Sequence, residues 1–243
     1  MRNIKKIFSY LGITTLALMS FIATEKTITV IKETDDIMVK INEEKNKYEK
    51  KPINAKIEEN KIIPGINGKK ININKSYEEM KKFGKYDPEK YEYEEIKPEK
   101  SIEKIYDKYI ELGNPNKKEI AIIIIINNND EIPMLKKTQE KQNVKVTILK
   151  NNEMQNQNYC YTKEESSLIL KKCTKQKRHT IIINPIERDL KKETKKILSN
   201  GKIITISLND NTKQQLELTI NFIKNKGYKI VKLEELLSEK NTN

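Results

Sequence analysis

Between Glu119 and Leu149 the chain reads EIAIIIIINNNDEIPMLKKTQEKQNVKVTIL, and this stretch limits the fold more than any other. Ile120 to Ile126 carries no polar residue, so neither face of a strand built from it can be left in water. A strand buried on both faces belongs in a parallel sheet covered by helices. The next segment supplies such a cover, because EIPMLKKTQEKQN places Met134, Leu135 and Thr138 on one side at helical spacing. VKVTIL then reads as the second strand. The alternation continues with KEESSLILKKCTKQ as helix, HTIIIN as strand, RDLKKETKKILSN as helix and KIITISL as strand. TKQQLELTINFIKNKGY is a helix stopped by Gly227, and KIVKLEELLSEK gives a short strand and a terminal helix. Strands alternating with helices predict an α/β domain with parallel strands over residues 119–240.

The segments ahead of that domain read differently. MRNIKK is basic, and Ile7 to Thr24 carries no charge before Glu25 and Lys26. Eighteen helical residues rise about 27 Å, near the thickness of a hydrocarbon core. Residues 1–24 are therefore expected to form a membrane anchor, the N-terminus in the cytoplasm and the body outside. A cleaved signal peptide, leaving a secreted protein, is the competing reading; a cut after Ala23 would put Phe21 where a small residue is wanted. Residues 25–52 mix Ile37, Ile41 and Tyr48 with charges and read as a solvated helical stalk. Residues 53–118 read as a small α+β accessory region. Pro64-Gly65 and Asn67-Gly68 signal the turn of a β-hairpin, and Ser76 with Glu79 forms a capping box for a short helix ending at Gly84. Ile102, Ile105, Tyr109 and Leu112 share one face of a further expected helix.

The formal net charge of +13 raises the question of nucleic acid. Only Arg2, Arg178 and Arg188 are arginines, and lysines are interspersed with glutamates. Base and phosphate recognition favours the bidentate guanidinium, so no nucleic-acid partner is expected. Attraction to an anionic cell-wall or membrane polymer remains compatible with the charge.

The order of elements resembles the polysaccharide deacetylases. IAIIIIINNN, EIPMLKKTQEKQNV and KVTIL stand where that family has V-A-L-T-F-D-D-G-P, a helix ending in N-V, and K-A-T-F-F. GKIITISL, a helix and KGYKIVKLEELL stand where it has G-S-I-I-L-L-H, a helix and K-G-Y leading into L-x-E-L-L. The likeness covers about residues 119–237. It implies an incomplete (β/α) barrel-like parallel sheet, preceded by the transmembrane helix and the accessory region. The family hydrolyses N-acetyl groups with a divalent metal held by one Asp and two His, an Asp base and a late His acid. Here Ile123 to Ile126 fall on the T-F-D-D tetrad, and Asn127, Asn128 and Asn129 follow. An asparagine carbonyl can ligate a metal, but a carboxamide is no base near neutral pH. KNNEMQNQN carries no paired histidines, NYCYT no arginine, and ISLND near Ser207 no histidine. The resemblance therefore implies a shortened, catalytically inactive relative without a metal or other cofactor. Its expected role is that of a membrane-anchored cell-surface scaffold or glycan-binding module. The alternatives are a carbohydrate N- or O-deacetylase using Asp130, Glu131 and Asp210, and a lysine-rich binder of anionic polymer.

The remaining candidates weigh toward structure. His179 is the only histidine and opens a strand, so it reads as a strand-end residue. Asp130-Glu131 suits a helix N-terminus, and Asn209-Asp210-Asn211 suits a turn, since a calcium loop's glycine and distal glutamate are missing. Ser166-Ser167 has no base at hand. Tyr86, Tyr91, Tyr93 and Tyr106 are packing residues or, alternatively, a sugar-binding face. Cys160 and Cys173 fit no zinc pattern; outside the cytoplasm they can form a disulfide, or remain buried thiols.

Overall fold

In the computed structural model the described residues are 32–151 and 158–240. They fall into two compact units, residues 32–50 with 69–95 and residues 51–68 with 96–240. The expected anchor at 1–24 lies outside the described residues. Among those described, no helix is long and apolar enough to cross a membrane.

The first unit holds helix α1 (Asp36–Glu44), strand β3 (Gly68–Ile71), helix α2 (Ile73–Phe83) and strand β4 (Tyr93–Ile96). Asp35 caps α1 by accepting from the Ile37 N–H, and Gly84 closes α2 in the left-handed region at φ 80°. α2 starts earlier than the sequence suggests. Asn72 is its cap, and Ser76 instead lies buried with its hydroxyl accepting from the Glu92 N–H at 2.9 Å. Residues 36–44 are no solvated stalk: Ile37 and Ile41 pack with Ile71, Met80 and Tyr91 into a small core. Tyr91 is 6% exposed and its ring meets those of Tyr48, Tyr86 and Tyr93.

The second unit is mixed α/β with largely parallel sheets. Its central strand β6 (Glu119–Ile126) pairs with β11 (Ile203–Ser207) on one side. On the other side β12 (Lys229–Val231) takes its first half and β7 (Thr147–Lys150) its second. β10 (Pro185–Ile186) extends the sheet beyond β11, and every pairing in it is parallel. Alternation along β6 decides what each face buries. Ala121, Ile123 and Ile125 point into one core, and Ile120, Ile122, Ile124 and Ile126 into the other. None of these is more than 5% exposed. At about 1.5–3 kcal/mol per fully buried isoleucine, this strand is a main source of hydrophobic stabilisation. The even-numbered face is covered by α3 (Ile132–Gln142), α5 (Leu190–Ile197) and α6 (Asp210–Asn225), through Leu135, Leu190, Leu216, Ile220 and Ile223.

The second sheet runs β1-β2-β5-β9-β8. β8 (Tyr159–Thr162) and β9 (His179–Ile182) come from the expected α/β region, joined by α4 (Ser167–Lys175). β1 (Lys56–Glu58), β2 (Lys61–Ile63) and β5 (Tyr109–Ile110) come from the stretch that the sequence assigns to a separate accessory region. β5 pairs in parallel with β9, so Ile62, Ile102 and Ile110 share a core with Ile123, Ile181 and Leu236. The hairpin turns at Glu59-Asn60, with Glu59 at φ 51°, and not at the prolyl and asparaginyl glycines. Where a helix was expected over 101–112, the chain makes a single 3-10 turn (Ile102–Lys104) and then β5. Helix α7 (Leu233–Leu237) closes the unit.

Three close links tie the unit together. Cys160 of β8 is bonded to Cys173 of α4, and both are fully buried. Gly201, at φ 74°, sits against the Gly113 carbonyl so closely that a Cβ would strike it. Glu239 is 4% exposed; its carboxylate accepts from the Gly65 N–H at 2.8 Å, the Ile102 N–H at 3.2 Å and the Ser101 hydroxyl.

Candidate functional site

Parallel sheets place ligands beyond the carboxyl ends of their strands, so the loops after β6, β7 and β11 are where chemistry would be sought. Register makes these loops neighbours, because Ile125 lies opposite Ser207 and Ile126 opposite Lys150. Leu208 donates its N–H to the Ile125 carbonyl at 2.8 Å, and Asn151 donates to the Ile126 carbonyl at 2.9 Å.

The rim so formed is lined by carboxamides. Asn151 Nδ2 donates to Asn127 Oδ1 at 3.3 Å. Asn209 caps α6: its Oδ1 accepts from the Asn211 and Thr212 N–H groups, both at 3.0 Å. Its Nδ2 donates to the Glu187 carbonyl at 2.9 Å, fastening the end of β11 to the segment after β10. Asn127, Asn128 and Asn129 are exposed.

The three acids singled out in the sequence stand on this rim but act on the backbone or face water. Asp130 and Glu131 lie in the 3-10 turn (Asn129–Glu131) ahead of α3, with Asp130 exposed. Glu131 does not cap α3; its carboxylate turns back and accepts from the Asn127 N–H at 3.2 Å. Asp210 is the exposed first residue of α6, where a negative charge meets the positive end of the helix dipole. Among the described residues, no three His, Cys, Asp or Glu side chains gather in a way that could hold a metal ion.

His179 is placed elsewhere. It opens β9, opposite Tyr159, at the amino end of the second sheet. Its ring stacks on Tyr106 with centroids 4.6 Å apart and lies 6.4 Å from the Tyr159 ring. Nδ1 is buried with no hydrogen-bond partner among the described residues. Burial disfavours the imidazolium and lowers the pKa to about 4, so the ring is neutral near pH 7. A neutral imidazole in a stack of aromatic rings has the surroundings of a packing residue. Tyr106 therefore serves this stack; in the other unit Tyr86 and Tyr91 pack into the core, and Tyr93, 40% exposed, sets its ring edge-on to Tyr91.

Solved structures with this arrangement settle the fold. The chain is similar to BA3943, a CE4 family pseudoenzyme from Bacillus anthracis, at TM-score 0.62 and 21% identity. The match covers 86% of this chain and 97% of that one. The fold is that of the CE4 polysaccharide deacetylases. A BA3943 mutant described as a pseudoenzyme with restored enzymatic activity matches at TM-score 0.61 and 20% identity, over 86% of this chain and 100% of that one. Among curated proteins the chain is 36% identical over 121 residues to the uncharacterized protein YlxY of Bacillus subtilis strain 168. That match takes in 47% of this chain and spans only 38% of the relative's length. No family model matches the chain.

One group of side chains went unremarked in the sequence. Lys118, Lys195 and Lys226, with Leu198, Phe222 and Tyr228, line a cavity of about 360 Å³. These residues come from three separate stretches, and only the fold brings them together.

Proposed function

We propose that this chain is a degenerate, catalytically inactive relative of the CE4 polysaccharide deacetylases, held outside the cytoplasm as a cell-surface scaffold or glycan-binding module. One observation carries the reading: at the carboxyl ends of β6, β7 and β11 the rim pairs Asn151 with Asn127 and ties Asn209 to backbone. Deacetylation by a metal-bound water needs ligands that hold the ion and a base that takes a proton. Carboxamides cannot accept that proton, and the one imidazole is engaged in an aromatic stack. The same groups can donate to and accept from sugar hydroxyls and acetamido carbonyls, which suits binding without turnover. BA3943, described as a pseudoenzyme, supports the idea that this fold is kept where chemistry has been given up.

The parallel sheet around β6 and the second sheet, parallel except for the β1-β2 hairpin, read as a (β/α) barrel open at two seams, between β7 and β8 and between β9 and β10. Residues 53–68 and 96–118 fill part of the second opening with β2 and β5, which accounts for their packing in the same core.

The test is acetate release from N-acetylated glycan oligomers, with zinc or cobalt supplied to the full chain. No release above the uncatalysed rate, together with retention of the protein on an immobilised glycan of the same kind, is the expected result. Metal-dependent acetate release would overturn the proposal in favour of a deacetylase working through Asp130, Glu131 or Asp210.

A further inference from the structure

Some of the described lysines are paired with nearby glutamates, as in Lys47–Glu44, Lys82–Glu79 and Lys196–Glu193. The cavity beside α5 and the C-terminus of α6 is different. Its three lysines, Lys118, Lys195 and Lys226, form no ion pair among the described residues, and no carboxylate lines it. Its floor is apolar, made of Leu198, Phe222 and Tyr228.

The rings also hold the charges in place. The Lys118 ammonium lies 5.5 Å from the Tyr228 ring centroid, and that of Lys226 lies 6.0 Å from the centroid of Phe222. A cation over an aromatic face is weakly attracted to it and keeps its other side open to water. The turn that brings Lys226 and Tyr228 together depends on Gly227 at φ 79°. Across Tyr228 a second cavity of about 390 Å³ adds Lys145, Lys224 and Lys229. There Glu235 answers Lys145 at 3.3 Å, and Glu119 answers Lys229 at 3.5 Å. Two adjoining hollows thus share one half-buried tyrosine, and the balance of charge around them is positive. Both lie toward the amino ends of β6, β7 and β12, away from the carboxamide rim.

We infer that this lysine-lined pair of cavities around Tyr228 is a docking surface for a flexible phosphodiester polymer that lacks bases. The chemistry of the donors selects the partner. Base edges are read by the bidentate fork of arginine, and neither hollow is lined by arginine. Ammonium groups act as point charges, which a phosphate oxygen can meet from any direction. The apolar floor offers contact to the carbon backbone between successive phosphates. Tyr228 and Phe222 each carry an ammonium over one face, which leaves no open platform for stacking successive bases.

The test uses the full chain and end-labelled poly(glycerol phosphate), a base-free phosphodiester polymer with a carbon backbone, followed by fluorescence anisotropy at several salt concentrations. Three contacts give a slope of log K against log salt of about −2, so binding weakens about 20-fold between roughly 50 and 200 mM salt. The triple variant K118Q/K195Q/K226Q is expected to lose at least about 10-fold in affinity at low salt and most of that slope. The control K137Q/K171Q/K213Q removes the same net charge from exposed positions on α3, α4 and α6, and is expected to change affinity less than about 3-fold. Equal losses in the two triples would mean diffuse attraction and would overturn the inference, as would no binding of poly(glycerol phosphate) at low salt. Polyglutamate bound as tightly as poly(glycerol phosphate) would remove the phosphate preference and overturn the inference. Single-stranded RNA bound more tightly per charge would make the surface a nucleic-acid interface instead.

Discussion

Replacing Glu239 should unfasten the α/β unit from within. The carboxylate is 4% exposed and accepts three hydrogen bonds, from the Gly65 and Ile102 N–H groups and the Ser101 hydroxyl. Its own backbone carbonyl accepts from the Asn67 N–H at 2.6 Å. One residue at the end of the chain thus grips two separate stretches, 64–67 and 101–102. Glu239→Ala leaves two backbone donors and one hydroxyl without their acceptor. Each buried unsatisfied donor costs about 1–3 kcal/mol, partly offset because a buried carboxylate no longer has to be desolvated. The net loss should be about 3–4 kcal/mol, a large part of the roughly 5–15 kcal/mol that holds a typical domain folded. Glu239→Gln keeps one carbonyl oxygen with two lone pairs for the Gly65 and Ile102 donors, and the Ser101 hydroxyl can reverse to accept from the amide. It should cost about 1 kcal/mol. Urea unfolding followed by circular dichroism reads both values, and hydrogen exchange at Gly65 and Ile102 reads the local effect. An Ala variant within about 1 kcal/mol of the parent would refute the reasoning, as would a Gln variant less stable than the Ala variant.

Three further outcomes follow from the structure. His179 has a folded pKa of about 4 against an ordinary 6.5, so the unfolded chain takes up the proton first as pH falls. Stability should be full above pH 6.5 and decline toward pH 4, by about 2–3 kcal/mol from this residue; denaturant titration of His179→Phe should show that part of the decline removed. Reducing the bond between Cys160 and Cys173, which closes a loop 13 residues long, should cost about 3 kcal/mol and lower the melting temperature, as scanning calorimetry with and without reductant would show. Gly65→Ala puts a methyl group against the Ile53 carbonyl and the Ala55 amide, both backbone atoms that cannot swing away. It should cost about 1–3 kcal/mol in the same calorimetric measurement.

What the sequence reveals here depends on how far apart the partners lie. β6 is legible because seven consecutive apolar residues need no knowledge of their neighbours to be placed in a covered parallel sheet. The helices from α3 onward are legible for the same reason, since each carries its own apolar stripe and stop signal. β5 is not. Ile102, Ile105, Tyr109 and Leu112 have helical spacing, yet Tyr109 and Ile110 are drawn into a ladder with Thr180 and Ile181, some seventy residues later. Pairing with β9 overrides a weak local preference. The stretch 36–44 misleads in a similar way, because the residues that cover Ile37 and Ile41 come from Ile71, Met80 and Tyr91. At the candidate site the missing acids and histidines can be counted in the sequence. The stack of His179 on Tyr106 cannot, nor can the meeting of Lys118, Lys195 and Lys226 beside Tyr228.

The central claim is that the rim beyond β6, β7 and β11 has lost its hold on a catalytic cation. Isothermal titration of the full chain with zinc, repeated with cobalt, tests it most directly. The account predicts no saturable heat at micromolar metal. One equivalent of tightly bound ion, lost on changing Asp130, Glu131 or Asp210 to its amide, would contradict it.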